Sequence, residues 1–135
     1  MAGNKESARG KTIRILLVDD TAAVRRILGA MLRIDGGFEV ATAAGGAEAL
    51  DILSKSTYDI VLVDINMPVM DGIELYRKIE KQFPDVATRV VFMSADNQPP
   101  QVFKKVNRPF LAKPFTTEAL MNAYRSGDHR EGSEQ

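Results

Sequence analysis

The stretch Ile60-Val61-Leu62-Val63-Asp64-Ile65-Asn66-Met67-Pro68-Val69-Met70-Asp71-Gly72 limits what this chain can fold into more than any other. A short β-branched run bounded by turn signals is a strand buried on both faces, and this one ends on Asp64. Strands of that kind belong to parallel sheets, whose ligands bind at the carboxyl ends. Met67-Pro68 blocks an immediate helix, because the residue before a proline is held out of the α region, and Asp71-Gly72 supplies the turn from which the next helix starts. Aspartate after a strand is also an ordinary turn residue. Asp64 therefore gains its meaning from what the other strands place beside it.

Four more apolar strands follow from pattern. Ile13 to Val18 runs into Asp19-Asp20, and Phe38 to Ala43 alternates over a short stretch. Arg89 to Met93 ends at Ser94, and Phe110 to Ala112 ends at Lys113-Pro114. Between them lie helical patterns. Thr21 is placed to cap a helix with Val24, Ile27, Leu28, Met31 and Leu32 inward and Arg25, Arg26 and Arg33 outward, stopped by Gly36-Gly37. Ala47 to Ser56, after Gly45-Gly46, buries Leu50 and Leu53. Gly72 to Gln82 buries Ile73, Leu75 or Tyr76, and Ile79, with Pro84 closing it. A last helix runs from Thr116 to about Arg125, turning Ala119, Leu120 and Ala123 inward. Strands alternating with helices predict an α/β fold: five parallel strands covered by helices on both faces through right-handed crossovers.

Composition narrows the chemistry. At 135 residues the chain makes one domain. Residues 1–11 form a polar arm and 126–135 a polar tail around it. Eighteen basic and eighteen acidic residues leave no net charge, so a nucleic-acid or anionic-membrane surface is not indicated. With no cysteine and a single histidine, His129, disulfides, thiolate metal sites, zinc ligation and imidazole catalysis drop out. No apolar leader or membrane-length segment is read, so a cytoplasmic protein is expected.

In a parallel sheet the strand ends share one edge, which brings together Asp19, Asp20, Asp64, Ser94 and Lys113. Each alone is a solvated turn residue; four strand ends carrying such groups make a site. Three carboxylates and one ammonium leave a net negative charge, and all-oxygen ligands suit a hard divalent cation such as Mg2+. A carboxylate nucleophile, a cation, a lysine and a hydroxyl are the parts that phosphoryl transfer requires. No P-loop or dinucleotide pattern is present, so a nucleotide donor is not expected.

Leu17-Val18-Asp19-Asp20, Val63 to Gly72, Met93-Ser94-Ala95 and Ala112-Lys113-Pro114-Phe115 together resemble the response-regulator receiver domain of two-component signalling, in its stand-alone, chemotaxis-type form. The likeness spans about residues 12–125. It implies a flavodoxin-like doubly wound sheet of order 2-1-3-4-5 with five helices. It further implies that Asp64 is the phosphoacceptor, taking its phosphoryl group from a phosphohistidine of a sensor histidine kinase or phosphotransfer protein. By the same likeness Asp20 binds Mg2+ directly, Asp19 mainly through water, and the backbone carbonyl of Asn66 adds a ligand. Ser94 and Lys113 hold the phosphoryl oxygens, Phe110 falls at a rotameric switch position, and the peptide before Pro114 is cis. Such a domain is not an enzyme in the usual sense: it is a regulatory phosphoacceptor that catalyses its own phosphorylation and dephosphorylation. Output passes through a downstream protein or a phosphorelay, with no direct contact to nucleic acid or membrane.

Two departures from the family pattern concern signalling. The stretch from Ser94 to Lys113 is a few residues short and holds Pro99-Pro100, which with Pro109 confine a fourth helix to about Pro99–Asn107. Val102, Phe103 and Val106 would face inward there, and Lys104 and Lys105 outward. Phe110 lacks a hydroxyl, so switching at that position would act by packing. A haloacid-dehalogenase-like phosphatase would use the same aspartate chemistry, but it places a second acid two residues after the nucleophile, where this chain has Asn66, and it has a cap that is missing here. A receiver-like scaffold that is never phosphorylated would lack an acid or the lysine; all are present.

Overall fold

The computed structural model describes residues 12–95 and 106–128. Its elements, in chain order, are β1 (Arg14–Val18), α1 (Ala22–Ile34), β2 (Glu39–Ala43), α2 (Gly46–Leu53), β3 (Ile60–Asp64), α3 (Gly72–Gln82), α4 (Pro84–Ala87), β4 (Val90–Ser94), β5 (Phe110–Ala112) and α5 (Thr117–Asp128). The strands form one parallel sheet of order β2-β1-β3-β4-β5. This is the doubly wound arrangement expected, with the chain reversing direction of travel between β1 and β3.

Every residue of β3 and β4 is buried, as continuous apolar runs require when helices cover both faces. The period-two alternation of strand side chains divides the core into two layers. Leu16, Val18, Val61, Val63, Val90 and Phe92 point to one face, where Ala49 and Leu53 of α2 and Leu75, Tyr76 and Ile79 of α3 cover them. Ile15, Leu17, Ile60, Leu62, Val91 and Met93 point to the other, against Leu28 and Leu32 of α1 and Leu120 and Met121 of α5. Tyr76 meets Phe92 edge-on, with ring centroids 5.5 Å apart.

Local signals set most boundaries. α3 begins in a capping box: Asp71 accepts from the Glu74 amide at 2.9 Å, and Glu74 accepts from the Asp71 amide at 3.0 Å. α1 ends in a left-handed glycine, Gly37 at φ 69°, with the Phe38 amide reaching back to the Leu32 carbonyl at 3.2 Å.

Several expectations are adjusted. Thr21 occupies the N-cap position of α1 in extended backbone, but its side chain makes no capping bond. Ile27 is 65% exposed, because the covered stripe of α1 is centred on Leu28 and Leu32 and leaves Ile27 beyond its edge. α2 stops at Leu53 rather than Ser56, its end tightened where the Ser54 and Lys55 amides bond back three residues to Asp51 and Ile52. Pro84 does close α3, and it also opens α4, a single turn in which its fixed φ and missing amide suit the first position. The helix expected over Pro99–Asn107 falls almost wholly outside the described residues, as do the arm and the end of the tail. Of that stretch Val106 and Asn107 are described: neither is helical, as the Arg108 amide turns back to the Val106 carbonyl at 2.9 Å, and Val106 is buried in the α2–α3 layer as expected.

Candidate functional site

The last rungs of the sheet ladder fix the backbone at the carboxyl edge. Asp19 donates its amide to the Ala43 carbonyl (3.1 Å), Ile65 to Met93 (2.9 Å) and Lys113 to Ser94 (2.7 Å). Val18 pairs with Val63, Asp64 with Met93, and Ser94 with Ala112. Asp19, Asp64, Ser94 and Lys113 thus project from neighbouring strand ends, held by hydrogen bonds that are independent of side-chain identity. Behind Asp64, Gly72 donates its amide to the Ile65 carbonyl at 2.9 Å. A Cβ at Gly72 would collide with the Asp64 carbonyl, so only glycine lets α3 start this close to the strand end.

Asp19 is wholly buried, and both of its carboxylate oxygens are engaged. Oδ2 accepts from Lys113 Nζ at 2.9 Å, and Oδ1 from the Thr21 amide at 2.9 Å. Lys113 Nζ also lies 3.7 Å from Asp64 Oδ1, bridging the two acids. Asp20, next in the chain, is exposed. Asp64 is buried, and its carboxyl is pushed up to about 6, chiefly by burial and further by Asp19 and Asp20, with Lys113 opposing. Its Oδ1 also accepts weakly from the Asn66 amide at 3.3 Å. Ser94 is buried, and its hydroxyl accepts from Asn66 Nδ2 at 3.2 Å.

One oxygen from each of Asp19, Asp20 and Asp64 lies within 4.8 Å of the others. An all-carboxylate donor set that holds a surplus of negative charge after Lys113 fits a hard divalent cation.

Asp19, Asp20, Asp64, Asn66, Ser94 and Lys113 thus share one edge, as the strand-end argument requires. Phe110 is half-buried against the α2–α3 layer. The Lys113–Pro114 peptide is cis. Two contacts escaped sequence reasoning. Arg25, expected to face outward, donates through a guanidinium nitrogen to the Asp19 carbonyl at 2.8 Å. Its place one turn after Thr21 is the available signal, since a long side chain there reaches back to the loop. The Asn66 side chain has no part in the sequence argument, because its contact with Ser94 spans two strands that only the sheet order brings together.

A family model described as the response regulator receiver domain matches residues 15–125. The chain belongs to the receiver domain family. Among its relatives, the chemotaxis protein CheY of Bacillus subtilis is 37% identical over 114 residues, covering 82% of this chain and 92% of that protein. The transcriptional regulatory protein GlrR of Escherichia coli is 34% identical over 116 residues, covering 84% of this chain. The matched part is 26% of GlrR, so the chain spans about a quarter of that regulator. Among solved structures, the response regulator protein TrrA of Thermotoga maritima, in complex with Mg2+ and BeF, aligns with a TM-score of 0.70 at 27% identity. That match covers 86% of this chain and 99% of the other. This receiver is therefore a regulatory module of two-component signalling with the five-stranded CheY-like fold. No helix among its described residues is long and apolar enough to cross a membrane.

Proposed function

We propose that this receiver is a phosphoacceptor switch in which Asp64 takes a phosphoryl group from a phosphohistidine of a sensor kinase or phosphotransfer protein. The observation that carries this reading is a buried carboxylate at a central strand end, with a lysine ammonium 3.7 Å away and two further acids beside it. In the transfer, an Asp64 carboxylate oxygen bonds to phosphorus as the phosphorus–nitrogen bond breaks, and the imidazole leaves with its electron pair and takes up a proton. Lys113, already suspended between Asp19 and Asp64, can turn its charge to a phosphoryl oxygen without leaving the site. The Ser94 hydroxyl faces the same edge to donate to a second oxygen. Asp19 holds Lys113 in place, and Arg25 fixes the loop that carries Asp19 and Asp20.

Asp20, Asp64 and the Asn66 carbonyl, with Asp19 through water, are the groups that would hold Mg2+. Such an ion, as the one found with TrrA, supplies charge neutralisation between the acids and an incoming dianion. Residues 12–125 form the functional unit, acting in the cytoplasm through a downstream protein or a relay. Hydrolysis of the aspartyl phosphate at the same site returns it to rest.

Intact mass after incubation with acetyl phosphate and Mg2+ tests the reading. One added phosphoryl group is expected, absent in chelator and absent in Asp64→Asn. Uptake that persists in either control refutes Asp64 as the acceptor.

A further inference from the structure

Val69 is the only non-glycine residue among the described residues with a positive φ, 68°. It is also fully exposed, at 104% of the reference area. A β-branched side chain is disfavoured in the left-handed region, and here no core contact offsets the strain. The flanking residues enforce it. Met70 donates its amide to the Pro68 carbonyl at 2.7 Å, and its side chain lies over Gly46 against the α2–α3 layer. The loop is thus tied down on both sides, and the fold tolerates conformational strain while holding an apolar side chain in water.

Two grooves meet at this ridge. One, of about 350 Å³, runs past Gly45, Gly46 and Pro68 toward Asp20. The other, of about 510 Å³, follows α3 and is lined by Val69, Met70, Glu74, Arg77, Lys78 and Lys81. Its charge is uneven along the helix, with Glu74 near the Val69 end and Arg77, Lys78 and Lys81 toward the other. Glu74 is committed to the capping box and Arg77 pairs with Glu80 at 3.3 Å, while Lys78 and Lys81 have no ion-pair partner among the described residues. From Gly72 to Lys81 the helix rises roughly 15 Å, close to three turns. The groove therefore has an apolar end at Val69–Met70 and a basic end at Lys78–Lys81.

We infer that this groove docks an acidic amphipathic helix of a partner protein, laid along α3 with an apolar side chain on Val69 and Met70. Carboxylates one and two turns further along that helix reach Lys78 and Lys81. A basic segment would meet like charge at that end. An anionic membrane would meet the acids Asp71, Glu74 and Glu80 interspersed on the same helix, which breaks up any continuous basic face. Lys78 and Lys81 carry none of the phosphoryl chemistry, so the test uses the unphosphorylated protein.

The isotope-labelled chain would be titrated with an 18-residue helical peptide bearing leucines on one face and glutamates beside them, and with the same peptide carrying lysines for glutamates. Saturable amide shifts confined to about residues 69–82 are expected with the acidic peptide alone. Lys78→Glu with Lys81→Glu should weaken binding at least tenfold. Val69→Gly, which removes the side chain and relieves the backbone without threatening the fold, should weaken it several-fold. Equal binding of both peptides, shifts centred on another surface, insensitivity to these substitutions, or no saturable shift would each overturn the inference. So would sedimentation that showed the groove covered by a second copy of the chain.

Discussion

Asp64 and Lys113 set the electrostatics of the site, and each makes a measurable prediction. The Asp64 carboxyl titrates near 6 in the fold against 3.8 as an ordinary aspartate, so the metal-free folded state binds that proton more tightly than the unfolded chain. The stabilisation is complete below about pH 3.8 and is lost as pH rises through about 6. In chelator, Asp64→Asn should raise stability at pH 7 by about 1–3 kcal/mol, because each tenfold difference in proton affinity between the two states is worth about 1.4 kcal/mol. Comparing urea midpoints at pH 4 and pH 7 checks it: the advantage should be small at the lower pH. Lys113→Ala acts in the opposite sense. It strips the cation from wholly buried Asp19 and from Asp64, at a cost of about 2–4 kcal/mol. That cost should be greatest above about pH 6, where Asp64 is ionised, and a urea titration of the variant across pH 4–8 would expose a pH-independent loss if the reading were wrong.

At the scale of elements, α3 connects the strand-end acids to the groove along its own side. Its capping box fixes the helix start beside the Asp64 carbonyl, and its body forms the floor of the basic groove. Asp71→Ala should cost about 1 kcal/mol, the usual worth of an N-cap, read from the denaturation midpoint. Its boundaries were legible in the sequence, because Asp71-Gly72 and Pro84 are local signals that act within a turn of themselves, whereas the part of Glu74 in the capping box was shown by the structure. Ile27 was not legible. Helical spacing marks an apolar stripe but not how much of its width the sheet will cover, and α1 packs too far toward Leu28 and Leu32 to shelter it. Nor was the reach of Arg25 to the Asp19 carbonyl, which depends on how closely the β1–α1 loop folds back.

For the whole molecule, a cation held by the acids at the sheet edge would be linked to folding. Mg2+ at about a hundred times its dissociation constant should stabilise the fold by about 2.7 kcal/mol, and Asp20→Asn should remove most of this gain; a calorimetric melt with and without the ion measures both. The two-layer core makes a further demand. Phe92 is wholly buried and touches Tyr76, so Phe92→Ala should cost about 3–5 kcal/mol in chemical denaturation. The sequence by itself determined the strands, most helix limits and the identity of the strand-end residues, because apolar periodicity, caps and prolines act over a few neighbouring residues. It also carried the family, through motifs whose order along the chain is distinctive. Only the tertiary structure decided that Lys113 sits between Asp19 and Asp64, that Asn66 reaches Ser94, and that Val69 stands strained and exposed above a basic groove. Those relations join residues far apart in the chain, or depend on how loops close over the sheet, and their energies arise only once parallel strands have placed the partners side by side.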